Sequence, residues 1–472
     1  MTITEAARAL RARELTATEL TQGYLNRIKE KNPAINAYLE VFDDALEQAS
    51  VADEKFRQGR SLKKSQGPSL PPLLGIPLAI KDNILIKDKI ASAASKMLAK
   101  YCANYDATVI KKLKAAGAIF LGRTNMDEFA MGGSTENSAF GPTKNPRDTT
   151  RVAGGSSGGS AASVAADLCV AALGSDTGGS IRQPASFCGV VGLKPTYGAV
   201  SRSGLIAMAS SLDQIGPLAQ TVEDAEILFE AIRGRDDLDS TSKDTKHPMF
   251  NTKHRMLRVG VPYKFLDQGL DPEVAENFKQ SVEKLKSLGY EIKEIDLPNL
   301  KYSLACYYII MPAEASTNLA RFDGLRYGLH LDGANLLEDY TKTRGQGFGR
   351  EVRRRIILGA YVLSAGYYDA YYGKATAVRS LIKQDFTQTF KTVDAMLTPT
   401  APTTAFKIGE KTADPLQMYL EDIFTVPANL AGLPALSLPS GKDKNNLPFG
   451  LQITAASGRE DTLFQIGKKF MS

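Results

Sequence analysis

The sequence has no tryptophan, only three histidines and only four cysteines among its 472 residues. His247 and His254 lie in a polar stretch, residues 236–254, that is typical of a surface connection, and His330 stands alone. None of the three is a convincing member of a histidine-based triad. If the protein is a hydrolase, its catalytic base must be another residue type.

The cysteines Cys102, Cys169, Cys188 and Cys306 form no Cys-x-x-Cys pair and mostly have apolar neighbours. This pattern predicts buried free thiols rather than disulfides or a metal site, and it favours a reducing compartment. The first 26 residues lack the apolar region of a signal peptide, and no stretch is long and apolar enough to span a membrane. We therefore expect a cytoplasmic protein without membrane contact.

Charge excludes little. The 58 basic and 52 acidic side chains give a net charge of +6, which is too mild over this length to indicate a nucleic-acid groove without a concentrated patch. Hydrophobic residues make up 43% and charged residues 23% of the chain, as is typical of a globular α/β enzyme. The length allows two or three domains, or one large one.

Helical and strand patterns alternate along the chain, which predicts an α/β fold. Residues 2–58 read as two amphipathic helices separated at Pro33, with a capping box from Thr16 to Glu19. Further candidates are strands at 73–80, 118–121, 168–173, 395–399 and 437–439, helices at 107–116, 160–166 and 346–381, and a β-α-β unit at 257–295.

Three motifs carry candidate chemistry. Two are the serine-containing glycine segments Gly154-Gly155-Ser156-Ser157-Gly158-Gly159-Ser160 and Gly178-Gly179-Ser180, and the third is Lys81 at the end of the apolar strand candidate. Glycine lets backbone N–H groups approach a ligand closely. A serine nucleophile needs a base, and without histidine a neutral lysine is the best alternative, which requires burial to lower its pKa from about 10.4.

Ordinary structural explanations exist for each motif taken alone. The first glycine segment could be a plain turn or a phosphate cradle, although it lacks the Gly-Lys-Ser/Thr ending of a nucleotide loop. Ser180 could be a helix N-cap, and Lys81 could be a solvated charge at a strand end. In the functional alternative, the amides of Thr177, Gly178, Gly179 and Ser180 face one oxygen and form an oxyanion hole.

Together the three motifs resemble the amidase signature family, whose hallmark is a Lys/Ser/Ser triad. The resemblance implies Ser180 as the acyl nucleophile, Ser156 as a relay serine after a cis peptide bond, and Lys81 as the base. It also implies one domain over residues 1–472, with a large mixed β-sheet covered by helices on both faces. Its expected parts are a helical cover at 1–60, a core with the triad at 65–235, a polar connection at 236–256 and a C-terminal part at 257–472.

Within that family, three further runs resemble the glutaminase subunits of aspartyl/glutamyl-tRNA amidotransferases. They are Asn125-Met126-Asp127-Glu128-Phe129-Ala130-Met131, Ser134-Thr135-Glu136-Asn137-Ser138-Ala139-Phe140-Gly141 and Gly366-Tyr367-Tyr368-Asp369-Ala370-Tyr371-Tyr372. Gly133, where serine is more usual, departs from the pattern in the loop that contains Met131.

The subfamily resemblance implies that glutamine is the substrate. Arg355 is then expected to bind the carboxylate and Asp422 the ammonium group, with Met131, Tyr307 and Tyr308 around the pocket. Each has an ordinary alternative: a basic helical face for Arg355, a charge at a helix N-terminus for Asp422, and core packing for the tyrosines.

The same resemblance implies a B subunit that binds ATP, Mg²⁺ and most of the mischarged tRNA, and a small C subunit, with no cofactor or metal in this chain. Two rivals remain open. One is a stand-alone amidase that hydrolyses small or acyl amides, and the other is a scaffold protein with an inactive site, against which the intact triad motifs argue.

Overall fold

The computed structural model describes residues 1–61, 71–244, 256–266 and 269–472. Most of the predicted polar connection, including His247 and His254, lies outside the described residues, as does the start of the predicted core at 65–70.

Helices occur along the whole described chain. They are α1 (Ile3–Ala12), α2 (Ala17–Ile35), α3 (Ala45–Ser61), α4 (Thr108–Ala115), α5 (Gly158–Ala165), α6 (Arg182–Cys188), α7 (Val222–Ile232), α8 (Tyr263–Leu266), α9 (Pro272–Ser287), α10 (Ser303–Asn318), α11 (Leu336–Gly347), α12 (Arg350–Leu363), α13 (Lys374–Thr392), α14 (Pro415–Leu420), α15 (Val426–Ala431) and α16 (Glu460–Met471).

The strands lie between these helices. They are β1 (Tyr38–Val41), β2 (Pro77–Lys81), β3 (Ile119–Thr124), β4 (Lys144–Asn145), β5 (Asp148–Val152), β6 (Ala171–Asp176), β7 (Val191–Lys194), β8 (Gln214–Ala219), β9 (Arg258–Val261), β10 (Glu291–Glu294), β11 (Ala395–Pro399), β12 (Ala435–Lys442) and β13 (Pro448–Ala455). The predicted strands and the β-α-β unit are confirmed, with ends shifted by a few residues, as expected of boundaries.

Eleven strands form one sheet in the order β1-β3-β2-β6-β8-β7-β12-β13-β11-β9-β10, and β4 pairs with β5 separately. The pairs β3–β2, β2–β6, β11–β9 and β9–β10 are parallel, and the other neighbours in the large sheet are antiparallel. The predicted α/β fold with a mixed sheet is therefore confirmed.

Helices pack on both faces of this sheet. A Cβ added at Gly467 of α16 would lie 2.9 Å from Leu436 of β12. The next strand residue, Ser437, points to the opposite face and hydrogen-bonds Thr400, close to Ser186 of α6. Burial on two sides explains why the central strands are apolar runs rather than alternating patterns.

The N-terminal region differs from its prediction. Thr16 and Glu19 do form the predicted capping box of α2, but this helix continues through Pro33 to Ile35. Residues 2–58 contain three helices rather than two, and β1 from this region pairs with β3 at the edge of the sheet. The helical periodicity of residues 2–58 did not reveal β1, a four-residue strand between α2 and α3.

The parallel strands β2 and β6 are neighbours, with Ile80 opposite Leu173. Because parallel strands point the same way, Lys81 at the end of β2 and the loop after β6 meet at one edge of the sheet. None of the helices in the described ranges is both long and apolar enough to cross a bilayer.

The cysteine prediction is correct at three positions. All four thiols are free, and Cys169, Cys188 and Cys306 are buried, but Cys102 is exposed. Cys102 lies in a loop before α4, between Lys100 and Asn104, which are exposed as well.

Candidate active site

Lys81 is completely buried at the end of β2. Its Nζ donates to the hydroxyls of Ser156 and Ser157, each at 2.8 Å, and to the main-chain oxygen of Ser175 at 3.2 Å. The alternative of a solvated strand-end lysine is therefore wrong. The hydrogen bonds instead tie the lysine to the first glycine segment and to the end of β6.

Burial lowers the pKa of Lys81 to about 7, although the carboxylates of Asp127, Asp176 and Asp213 oppose this shift. A lysine with a pKa in this range is largely neutral at slightly alkaline pH, and a neutral amine can accept a proton. The electrostatic setting therefore suits a base, the role expected for Lys81.

The peptide bond between Gly155 and Ser156 is cis, as the resemblance implies. The two adjacent serines, which sequence alone could not tell apart, have different surroundings. Ser157 donates to Ser175 O at 3.1 Å and accepts from Ser175 N at 3.3 Å, whereas Lys81 is the one described partner of the Ser156 hydroxyl. Ser156 therefore keeps the hydrogen-bonding capacity that a relay needs.

Ser180 lies next to these serines and is the most accessible of the three triad candidates, with 8% of its surface exposed. The Ser157 N–H donates to the main-chain oxygen of Ser180 at 3.0 Å. Ser180 is not the N-cap of α6, because that helix begins at Arg182 after Ile181. In the described residues no hydrogen bond joins the Ser156 and Ser180 hydroxyls, a contact that often forms only with substrate.

The proposed oxyanion hole needs one correction. The N–H of Gly179 donates to Asp176 Oδ1 at 2.9 Å, so this amide is not free. The reason is the Thr425 hydroxyl, which donates to Gly178 O at 2.6 Å and thereby turns the opposite side of that peptide, the Gly179 N–H, toward Asp176. The amides of Thr177, Gly178 and Ser180 have no partner among the described residues.

Two glycines permit this loop to pack. A Cβ at Gly178 would lie 2.6 Å from the Tyr307 ring, and one at Gly179 would lie 2.3 Å from the Thr425 hydroxyl. Gly179 also has φ +141°, which other residues rarely adopt. Tyr307, a predicted pocket residue, therefore lies directly against the candidate oxyanion loop.

A buried ion pair between Asp176 and Arg182 holds the loop that precedes Ser180. Asp176 accepts from Arg182 Nε and Nη2, each at 3.0 Å, and also from the main chain of Ile181. Burial alone would raise the pKa of Asp176, but Arg182 holds it at about 2. No sequence motif marks this pair, because Asp176 ends β6 and Arg182 begins α6, and neither residue type is unusual there.

The residues expected to bind substrate form one connected cluster. Tyr308 donates to Asp422 at 2.8 Å and stacks on Tyr419 with ring centres 3.9 Å apart. Arg355 is 4% exposed and donates to Glu351 at 2.8 Å, so it is not part of an exposed basic face. The structure thus brings Arg355 and Asp422 together through aromatic side chains.

Asp422 is half-buried in the turn before α15 and is adjacent to the oxyanion loop through Thr425, whose hydroxyl also contacts Asp422 O at 3.1 Å. Burial raises the pKa of its carboxyl to about 7, while Tyr308 and Arg355 act in the opposite direction. A nearby ammonium group would favour the charged form further.

The loop with Met131 is held by side chains that the sequence did not reveal. Met131 is fully buried, and its carbonyl accepts from Asn137 at 3.1 Å. Gln183 donates to Gly133 O and accepts from Gly155 N, each at 2.9 Å, so it connects this loop to the cis peptide. The carboxylate of Asp127 accepts from the main chain of Thr135 and so closes the loop.

Two neighbouring glycines in this loop provide a matched test. A Cβ at Gly132 would lie 2.3 Å from Asp127 Oδ1, whereas one at Gly133 meets nothing closer than 3.7 Å. Gly132→Ala should reduce the amide hydrolysis that the family resemblance implies by about tenfold or more, because the loop must shift. Gly133→Ala should leave the rate within about twofold, because the added Cβ would make only an ordinary van der Waals contact with Met418 Sδ at 3.7 Å. Equal rates for the two variants, measured as ammonia release, would contradict this packing argument.

No group of three or more histidine, cysteine or acidic residues in the described ranges could hold a metal ion. The contacts described above bring together a lysine, two serines, backbone amides and a polar aromatic cluster.

The sequence model of the Amidase family matches residues 19–464. The A subunit of the glutamyl-tRNA(Gln) amidotransferase from Microcystis aeruginosa is 55% identical, with coverage of 97% of this chain and 94% of the relative. The crystal structure of the protein of that name from Thermotoga maritima is 44% identical, covers 100% of this chain and 92% of its own, and has a TM-score of 0.78. The peptide amidase of Stenotrophomonas maltophilia is 30% identical, with coverage of 100% and 96% and a TM-score of 0.80.

Proposed function

This chain belongs to the Amidase family, and we infer that it is the glutamine-hydrolysing component of a glutamyl-tRNA(Gln) amidotransferase. The family resemblance read from the motifs is thereby confirmed. The chemistry rests on one observation above all, the buried Lys81 hydrogen-bonded at 2.8 Å to Ser156, beside Ser180.

In the proposed mechanism, the Ser180 oxygen attacks the side-chain carbonyl carbon of glutamine. The hydroxyl proton of Ser180 passes to Ser156, whose own proton passes to neutral Lys81. The tetrahedral intermediate then collapses, and the C–N bond breaks as the proton returns through Ser156 to the leaving nitrogen. Ammonia leaves, and a glutamyl ester on Ser180 remains.

Water then attacks this ester, with the same lysine and serine accepting its proton, and glutamate is released. The oxyanion formed in both steps is stabilised by free amides of the loop after β6. The candidates are the amides of Thr177, Gly178 and Ser180, because the Gly179 amide is bound to Asp176. The net reaction converts glutamine and water to glutamate and ammonia.

The substrate cluster suits an amino acid with two charged groups. Arg355 would bind the α-carboxylate, since guanidinium and carboxylate pair with two parallel hydrogen bonds. Asp422, fixed by Tyr308, would bind the α-ammonium group, and Tyr307 and Met131 would form the pocket wall.

Partners complete the pathway in this proposal. A B subunit binds ATP and Mg²⁺, activates the glutamyl group of Glu-tRNA(Gln) and uses the ammonia, and a small C subunit joins the complex. Asp-tRNA(Asn) is a further candidate acceptor. The tRNA contacts mainly the B subunit, the site of action is the cytoplasm, and this chain needs no cofactor of its own.

Hydrolysis of simple amides by the chain alone is the second candidate function. The likeness to a peptide amidase at 30% identity favours it, since such an enzyme could use the same lysine and serines. The candidates differ at Arg355 and Asp422: their replacement should impair glutamine hydrolysis but spare hydrolysis of an uncharged amide.

The direct test measures ammonia release from glutamine, with and without B and C subunits, ATP and Glu-tRNA(Gln). We expect Ser180→Ala to reduce the rate by about 10⁴-fold or more, because a lost nucleophile removes the covalent route. The control Ser287→Ala, at an exposed position at the end of α9, should match the wild type. Strong hydrolysis of butyramide with no preference for glutamine and no effect of partners would instead support the stand-alone amidase.

A further inference from the structure

Glu351 precedes Arg355 by one helical turn in α12 and is 9% exposed. Its Oε1 accepts two hydrogen bonds, from Arg355 Nε at 2.8 Å and from the Tyr419 hydroxyl at 2.9 Å. The other oxygen of Glu351, Oε2, forms an ion pair with Arg354, which directly precedes Arg355 in the chain. A single carboxylate therefore holds the arginine and one ring of the substrate cluster.

The other nitrogens of the Arg355 guanidinium, Nη1 and Nη2, have no strong hydrogen-bond acceptor among the described residues. Nη1 is 3.5 Å from Met311 Sδ, and sulfur is a weak acceptor. None of the described residues accepts a hydrogen bond from Nη2. The guanidinium carbon is 5.6 Å from the ring centres of Tyr308 and Tyr419, so aromatic rings limit its movement. The Nη1–Nη2 edge is thus the side that can receive a carboxylate in the two-bond geometry.

Charge favours this arrangement. Burial would raise the pKa of Glu351, but Arg355, Tyr419 and Arg354 lower it, so the carboxylate is ionised. Two arginines around one carboxylate leave a net positive charge. Arg354 thus balances the charge of Glu351, and the positive charge of Arg355 stays available to an anion.

Arg355 and Glu351 also line one cavity together with Gly132, Ser134 and Tyr419. Gly132 follows Met131 in the loop that Asp127 and Gln183 hold. The pair therefore lies where the substrate loop and the aromatic cluster meet.

We propose that Glu351 is a positioning residue for glutamine specificity: it fixes Arg355 through Nε so that the Nη1–Nη2 edge receives the α-carboxylate of glutamine. This inference rests on the proposed function of the site. It assigns no contact between Glu351 and the reacting amide, so its effect should appear in substrate binding rather than in the chemical step.

The test compares Glu351→Ala and Glu351→Gln in the assembled complex. We expect Glu351→Ala to raise KM for glutamine about tenfold or more with kcat within about threefold, because a hydrogen bond to a charged group is lost. Glu351→Gln keeps an oxygen that can accept from Arg355 and Tyr419, so its KM should lie between those of Glu351→Ala and the wild type. Glu283→Ala, which removes an exposed pair with Lys286 at the same spacing as Glu351 and Arg354, is the matched control.

A second readout separates positioning from loss of structure. Sulfonylation of Ser180 by phenylmethylsulfonyl fluoride and hydrolysis of butyramide need no α-carboxylate, so both rates should be unchanged in Glu351→Gln. A fall in either rate, or an unchanged KM for glutamine in both variants, would overturn the proposal. A lower KM in Glu351→Gln would also overturn it, because Glu351 would then be a competitor of the substrate carboxylate.

The variant Arg355→Ala distinguishes this inference from the function on which it rests. If Arg355→Ala raises KM for glutamine and the Glu351 variants do not, only the role of Glu351 fails. If Arg355→Ala itself leaves KM unchanged, the proposed carboxylate site fails and the role of Glu351 fails with it.

Discussion

Glutamine hydrolysis by a Lys81→Met variant is expected to fall by about 10⁴-fold or more, because Ser156 and Ser180 lose their base. Methionine is apolar and similar in length to lysine, and the Lys81 side chain lies in a completely buried position. The variant should therefore fold, and its loss of activity should reflect chemistry. Steady-state ammonia release is the measurement, and a residual rate above about one hundredth of the wild type would exclude Lys81 as the base.

The pH dependence of hydrolysis by the wild type should also report the protonation of Lys81. Burial lowers the pKa of Lys81 to about 7, and the neutral form that can accept a proton predominates above that pH. For butyramide, which has no ammonium group for Asp422 to bind, kcat/KM should therefore rise as pH increases through about 7 and fall as the lysine is protonated below it. With this substrate the carboxyl of Asp422, whose pKa burial also raises to about 7, has no charge to bind and does not shape the profile. A profile that stays flat from about pH 6 to pH 8 would contradict this assignment.

A second buried lysine supplies the matched control. Burial lowers the pKa of Lys194 to about 7 as well, but its Nζ donates to Pro195 O at 2.8 Å rather than to a serine hydroxyl. The acid limb of the profile should consequently persist in Lys194→Met. If that limb disappears, the profile reports Lys194 and not the catalytic lysine.

The sequence identified the parts of the site that local patterns encode. An apolar run ending in Lys81 predicted a buried strand with a lysine at its end, and the glycine segments predicted close-packed loops around serines. The mixed sheet and the proximity of Arg355 to Asp422 could be predicted only from the family resemblance. Neither periodicity nor spacing relates residues so far apart in the chain.

Other features depend on tertiary contacts that no local pattern contains. The Gly179 amide is taken by Asp176 because Thr425, far along the chain, fixes the preceding peptide. The role of Glu351 likewise depends on Tyr419, which lies 68 positions away and shares the Oε1 of Glu351 with Arg355 Nε.

Replacement of Arg182 by methionine is expected to lower the free energy of unfolding by about 3–5 kcal/mol, the usual cost of removing one partner of a buried ion pair. Arg182 and Asp176 both have fully buried side chains, and Arg182 also donates to Thr425 O at 2.9 Å and to Gln452 Oε1 at 2.6 Å. Because Asp176 orders the loop before Ser180, glutamine hydrolysis should fall as well. Urea denaturation monitored by circular dichroism gives the comparison.

Arg8→Met is the control for the lost charge. Arg8 pairs with Glu14 at the surface, where the two side chains are 67% and 53% exposed, so its loss should cost about 1 kcal/mol or less. A similar shift of the urea midpoint in Arg8→Met and Arg182→Met would contradict the importance of the buried pair.

The pH dependence of the Arg182→Met defect tests its physical cause. In the wild type the pKa of Asp176 is about 2, below its unfolded value of about 3.9, so the pair contributes stability that is complete above the unfolded pKa and is lost as pH falls toward 2. Without Arg182, burial raises the pKa of Asp176 above the unfolded value, and folding then favours the protonated acid. The variant's deficit relative to the wild type should therefore be smaller at pH about 5.5 than at pH about 8. A deficit that is the same at both pH values would mean that lost packing and hydrogen bonds, rather than an unpaired Asp176 charge, destabilise the variant.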